Sequence, residues 1–276
     1  MQQKQKAVIY LSDTRSVYIG KLEPTYTRFY VTATLIVALE DQLEVVLGTS
    51  GETLLCKSVL IPAGAKLSVK TTGNKVVICS LDDLGSDYAK LSLKMRTAIR
   101  ADSGEQLLFN LKHENEVIEQ ATYLSAVRPS TSEAFELLEI WIGSPAQANP
   151  VVIDERVISA IRIIKENYNK NISVTDIAQQ VSLSVPRLIQ LFKQATGSPI
   201  RRYRLWHRLW VTCNLVLTGK ALTEAAVAAG FSDYAQFSRV YRELCGGSPS
   251  VARKNTDVRI HKIARIKLLI SIKTVA

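Results

Sequence analysis

The chain has 276 residues, 47% of them hydrophobic and 22% charged, with 13 Gly and 8 Pro. That composition suits folded globular domains and excludes collagen-like or Gly/Pro-rich disordered chains, and the length suggests about two domains. The net charge of +10 is unevenly spread, with 15 Lys and Arg against 17 Asp and Glu in residues 1–148 and 20 against 8 in residues 149–276. A near-neutral half joined to a basic half points to a polyanion partner for the second, nucleic acid first. Charge alone leaves a solvated basic helical surface as the competing explanation.

The apolar runs LIVAL at 35–39 and KLLISI at 267–272 fall far short of the roughly 20 residues needed to span a bilayer. The amino-terminal stretch MQQKQKAVIYLSD has too short an apolar run for a signal-peptide core of about 7 to 15 residues. No membrane partner and a cytoplasmic location are expected. Cys56, Cys79, Cys213 and Cys245 lie far apart with no C-x-x-C pair, which fits neither a zinc ribbon nor a disulfide framework and predicts reduced thiols.

From residue 7 to about 81 short β-rich runs, AVIYL, VYIGK, RFYVTATLIVAL, LEVVL, LLCKSVLI, KLSVK and KVVICSL, alternate with turn signals such as GTSG, PAGA and TGN. Strands at this spacing predict an all-β barrel or sandwich. After Gly85 helical periodicity is expected in 86–100, 105–125 and 132–142, giving helices appended to a barrel in a first domain at 1–142. Phe135, Leu138 and Trp141 make the last of these apolar at helical spacing, so it could serve a dimer contact or pack on the barrel. The helix at 105–125, more polar through Glu114, Glu116 and Glu119, is the other dimer candidate. A linker is expected at 143–153, where GSPAQANP interrupts the pattern.

Residues 154–253 read as all-helical. Val157, Ile158, Ile161, Ile164 and Tyr168 line one face of ERVISAIRIIKENY, and Ser173 with Asp176 approximates a capping box for the next helix. VTDIAQQVSLSVPRLIQLFKQATG then has a short helix, a tight turn near Ser182 and Leu183, and a second helix from about Ser184. This is a helix-turn-helix pattern at about 174–195. It recurs at about 222–245, with Ala226 in the place of Ala178, Phe231 in that of Leu183, Gly230 at the turn and one extra turn residue. Between them PIRRYRLWHRLWVTCNLVLT predicts a helix of about 30 Å, close to the roughly 34 Å between successive major grooves.

On DIAQQVSLS, LIQLFKQATGSP at 188–199, RL at 208–209 and AGFSDYAQFSRVYRELCGGSPSVAR at 229–253, the chain resembles the AraC/XylS family of transcription regulators. Ala252, where the family commonly has an aromatic residue, and Pro186, inside the first turn of a recognition helix, depart from the pattern. Proline is tolerated there because the N–H groups of that turn lack intrahelical partners. The resemblance implies a sequence-specific transcription regulator, activator or otherwise, that binds double-stranded DNA; a homodimer built by the first domain is expected, with RNA polymerase as a further candidate partner. Subtracting core positions leaves Val185, Pro186, Arg187, Ile189, Gln190 and Lys193 on the first recognition helix. Gln190 suits adenine N6 and N7, while Val185 and Ile189 suit thymine methyl groups. On the second helix the resemblance places Tyr234, Ala235, Ser238 and Arg239 at the groove, Arg239 suiting guanine O6 and N7. Arg201, Arg202 and the rest of the RRYR run, with Lys193 and Arg242, suit phosphate.

Residues 254–276 form a basic extension that alternates cationic with aliphatic residues, expected as a terminal helix or a tail. The first domain resembles cupin-like sensor barrels on VLIPAGAKLSV at 59–69 and SLDDLGSDYAKL at 80–91. A metal-dependent cupin enzyme is rejected: His113 is its lone histidine, and Lys66 stands where such barrels often begin a histidine pair. The overall expectation is an α+β multidomain protein with a cupin-like β-barrel and appended helices, then an all-α domain with two helix-turn-helix units. No catalytic residue, metal or cofactor is expected. The barrel either holds a small-molecule effector, whose contacts the sequence leaves unassigned, or is a protein-interaction module without one.

Overall fold

The computed structural model describes residues 6–22, 27–47, 51–71, 73, 75–101, 104–143 and 152–260. Most of the expected linker, and the extension past residue 260, lie outside the described residues. The first domain contains β1 (Ala7–Leu11), β2 (Ser16–Gly20), β3 (Arg28–Phe29), β4 (Thr34–Ala38), β5 (Leu43–Val46), β6 (Thr53–Cys56), β7 (Ser58–Ile61), β8 (Lys66–Thr71) and β9 (Val76–Ser80). It continues through α1 (Ser86–Ser92), β10 (Met95–Arg100), β11 (Gln106–Leu111), α2 (Glu114–Val127) and α3 (Thr131–Ile142). The second contains α4 (Glu155–Glu166), α5 (Val174–Gln180), α6 (Val185–Thr196), α7 (Ile200–Leu217), α8 (Leu222–Ala228), α9 (Tyr234–Cys245) and α10 (Pro249–Asn255), and the described chain ends in β12 (Thr256–Ile260).

The strands form two sheets, one ordered β10-β11-β7-β4-β9-β2-β1-β12 and one ordered β3-β8-β5-β6. No strand pairing joins them into a cylinder among the described residues, so the expected barrel is observed as two facing sheets. β4 shows how sequence dictates the layering. Successive side chains leave a strand on opposite faces, and Leu35 and Val37 join the core under the helices while Ile36 and Ala38 join the core between the sheets. A strand buried on both faces therefore reads as the continuous run TLIVA, all five residues buried.

Two helical expectations, 86–100 and 105–125, hold only in part, at α1 and α2, for the same reason. Residues 95–100 and 106–111 pair as an antiparallel hairpin closed by Gly104 at φ 95°, and helix starts only at Glu114. Leu111, past a slip at Asn110 (φ 60°), lies under the helices, but over 107–109 Leu107 and Phe109 enter the core between the sheets and Leu108 the one under the helices. That is a period of two, and the neighbouring β7 rewards it with strand pairing, overriding the high helix propensity of the local residues. α2 and α3 cover the outer face of the larger sheet. Leu138 and Trp141 are buried there and Phe135 packs against them, so the residues weighed as a dimer face form core instead.

The described start of the extension, residues 254–260, also differs from expectation. α10 runs directly into β12, which pairs in parallel with β1 from Ala7↔Thr256 to Leu11↔Ile260. Thr256, Val258 and Ile260 put β-branched residues at every second position, which favours a strand over a helix.

Candidate nucleic-acid interface

The two helix-turn-helix units are built alike at the atomic level. In the first, Ser173 and Asp176 form the capping box of α5, and α5 ends through Ser182 at φ 54°. The Leu183 N–H then donates to the Ala178 carbonyl at 2.9 Å. In the second, Gly230 at φ 93° takes the turn, and the Phe231 N–H donates to the Ala226 carbonyl at 3.1 Å. Ala178 and Ala226 are both buried, small residues where the helices of each pair cross. Ser184 caps α6 by accepting from Arg187 N–H, and Asp233 caps α9 by accepting from Gln236 N–H. Both recognition helices are 12 residues long and stop at a left-handed glycine, Gly197 and Gly246.

α7 joins the units over 18 residues, about 27 Å at 1.5 Å per residue. Two of its arginines are committed to holding the domain together. Arg204 donates to the Ile172 carbonyl at 2.8 Å and Arg208 to the Tyr168 carbonyl at 2.8 Å, tying α7 to the turn before α5. Burial pushes the pKa of each downwards. Arg204 therefore leaves the expected phosphate-binding run, while Arg201 remains exposed.

On α6, Pro186, Arg187, Ile189, Gln190 and Lys193 are exposed, and Val185 is half-buried against the core of the first unit. Arg187 Nη1 donates to Gln190 Oε1 at 2.9 Å. A bidentate contact from Gln190 to adenine requires that oxygen to share or exchange its donor. On α9, Ala235, Arg239 and Arg242 are exposed and Tyr234 is half-buried beside Phe237. Ser238 is buried, its Oγ accepting from Arg242 Nη2 at 3.1 Å. Arg202 Nη1 pairs with Glu243 at 2.5 Å, and its guanidinium lies over the Phe29 ring at 5.2 Å. Neither Ser238 nor Arg202 stands with the exposed set.

The first domain grips this interface from behind, a feature that helix periodicity does not reveal. Phe29 and Val31 enter the core of the second unit, and Leu84 packs on that of the first. The Gly197 backbone abuts Gly64 and Ala63, Gly246 abuts the Arg28 guanidinium, and Ser198 Oγ donates to the Val31 carbonyl at 2.6 Å. Asp83 accepts from Lys165 Nζ at 2.9 Å and from the Tyr203 hydroxyl, and Trp210 Nε1 donates to the Ser12 carbonyl at 2.9 Å. His207 sits between Tyr168 and Trp210, where burial and Lys165 push its pKa down to about 4. Of these, the contacts at Gly197, Ser198 and Gly246 fall at the far ends of α6 and α9, away from the first turns, where Pro186, Arg187 and Ala235 stay exposed.

Paired helix-turn-helix units on a basic domain define a class of DNA-binding module. Residues 177–255 match the family model described as a helix-turn-helix domain. The same region is similar to curated regulators that include the arabinose operon regulatory protein. That protein, from Escherichia coli (strain K12), is 31% identical over 115 residues, 41% of this chain and 39% of its own length. The Msm operon regulatory protein of Streptococcus mutans is 33% identical over 94 residues, 34% of each chain. The chain thus spans less than half the length of these relatives. Among solved structures, apo ToxT from Vibrio cholerae strain SCE256 superposes with a TM-score of 0.61 over 88% of this chain and 97% of its own, at 14% identity. Unsaturated fatty acid bound ToxT superposes at 0.52 over 91% and 96%, at 13% identity. The two-domain fold is shared.

Among the described residues no group of three His, Cys, Asp or Glu converges as a metal site. No described helix is long and apolar enough to cross a membrane.

Proposed function

We propose that the protein is a sequence-specific DNA-binding transcription regulator whose first domain adjusts how the second engages DNA, with no catalytic step. The repeated alanine-to-turn hydrogen bond, in two units whose reading turns are exposed, carries this reading. Arg187, Ile189, Gln190 and Lys193 on α6, and Ala235, Arg239 and Arg242 on α9, would face the duplex. Val185, Pro186 and Tyr234 would border them, with Arg201 toward phosphate. The test is titration of the full chain with duplexes selected from a random-sequence pool. Binding should fall steeply with salt, as phosphate contacts release counterions; a chain that retains no duplex at low salt overturns the reading.

The first domain is read here as a cupin-like sensor, a likeness of layout rather than of metal chemistry. Fatty acid binding by the similarly folded ToxT supports the search for an effector. One observation favours the alternative of an interaction module: the space between the sheets is filled by Leu43, Val45, Val59, Ile61 and Phe109, none of them solvent-accessible. A ligand screen by thermal shift, followed by DNA titration with each hit, separates the two, because an effector and DNA must alter each other's affinity by one factor. Homodimerisation and contact with RNA polymerase belong to the same reading. With Phe135, Leu138 and Trp141 of α3 in the core, the exposed Tyr123 and Val127 on α2 are the dimer surface to test by light scattering.

A further inference from the structure

The helix-turn-helix family match ends at residue 255, and β12 begins at the next residue. Its five residues add a parallel strand to β1, covering an edge of the larger sheet that would otherwise offer unpaired N–H and C=O groups. Side chains lock the strand. Arg128, in left-handed conformation at the end of α2, donates from Nη1 to Asp257 Oδ2 at 3.1 Å and from Nη2 to the Lys6 carbonyl at 2.7 Å. Arg259 donates to the Arg128 carbonyl at 2.6 Å and to Asp257 at 3.3 Å. The Asp257 carboxylate thus lies between two guanidinium groups, one from each side of the joint.

We propose that residues 256–260 are a strap whose seating on β1 holds the two recognition helices as one preorganised pair for DNA. This rests on the DNA-binding reading above. The second domain, joined to the first in sequence ahead of α4, is anchored to it again at residue 256, and α10, which packs on α9, is carried along. The contacts at Gly197 and Gly246 then stay engaged, which fixes where the far ends of α6 and α9 sit. Because these contacts leave Arg187, Gln190, Ala235 and Arg239 exposed, a closed strap does not mask the reading turns. Ordering the pair before DNA arrives removes an entropy cost from binding, so strap closure raises affinity.

The experiment uses the full chain and a duplex selected from a random pool by the unaltered protein. Asp257→Arg and Arg128→Asp are made singly and together, with amide hydrogen exchange at Ile9 and Leu11, whose N–H groups face β12, reporting strap seating. Each single change should speed that exchange and weaken DNA binding by about tenfold, within the usual range of coupling between sites. The double change, which restores opposite charges, should recover both. Single variants that free β1 yet bind DNA unchanged or more tightly overturn the strap. A cross-link between Ile9→Cys and Val258→Cys, partners in register, guards against misfolding. The oxidised chain should bind at least as tightly as the reduced one, and weaker binding overturns the proposal. An unaltered chain that selects no duplex overturns the DNA-binding reading, and the strap's role with it. Duplex selection that survives while the strap variants change nothing removes the strap alone.

Discussion

The Arg28 guanidinium fills the space in front of the Gly246 α-carbon, so an arginine of the first domain closes the carboxyl-terminal end of the second recognition helix. Its charge complements the negative end of the helix dipole there. Gly246 stands at φ 86°, and a β-carbon would meet both conformational strain and the guanidinium. Gly246→Ala should destabilise the full chain by about 1 to 3 kcal/mol in denaturant unfolding. Arg28→Ala should relieve part of that cost when combined with it, and additive losses would dissociate the two residues.

Arg239 is exposed on the face of α9 proposed to read DNA, whereas Arg202 is engaged by Glu243 and Phe29. Arg239→Ala should cost about 1 to 3 kcal/mol at one base pair and relax specificity there. Arg202→Ala should lower affinity similarly for all duplexes and loosen domain docking. Competition titrations against single-base-pair variants of the selected site distinguish these patterns.

Asp83 accepts from both Lys165 and Tyr203, groups of α4 and α7. Asp83→Asn removes the charge and leaves Lys165 partly buried without its counterion, a loss of about 1 to 3 kcal/mol. Tyr203→Phe should cost less alone, and the two should not add, since they share one hydrogen bond. Additivity in a double-mutant cycle would argue that the hydroxyl is satisfied elsewhere.

His207 gives a signed pH dependence. Its pKa is about 4 in the folded protein against the ordinary 6.5, so the unfolded chain takes up more protons between those values. The stability it contributes is fully present above about pH 6.5 and is lost as pH falls through 4, by about 1 to 3 kcal/mol. Asp82 acts oppositely: burial and the nearby Asp87 push its pKa up to about 6, so its contribution is present at low pH and lost as pH rises through 6. Comparing the protein with His207→Phe across pH 4 to 7 isolates the histidine. The variant should lose less stability on acidification, and parallel curves would refute the assignment.

The second domain was legible because its rules are local. Ser173 and Asp176, Ala178 and Ala226, and the turns at Ser182 and Gly230 lie within a few residues of what they determine. The first domain was legible only as a set of strands. QLLFNL becomes a strand because β7, about fifty residues away, lies alongside it, and MRTAIR pairs on its other edge. The site followed the same division. Exposure of Arg187, Gln190 and Arg239 follows from helix periodicity, but the burial of Ser238 under Arg242 and the engagement of Arg202 depend on rotamers and on Phe29. That Arg28 and Val31 reach the recognition helices had no local signal at all.

The pairing of Ala7 with Thr256 also orders events in time. During synthesis β1 and β2 leave the ribosome early, and domains generally begin folding as they emerge. β1, however, must wait with one edge bare until nearly all of the described chain has been made. A contact of such sequence separation forms late because of its loop-closure entropy. The first domain therefore passes through a stage in which its outermost strand is open to a neighbouring nascent chain, and the last strand made among the described residues is the one that ends that exposure.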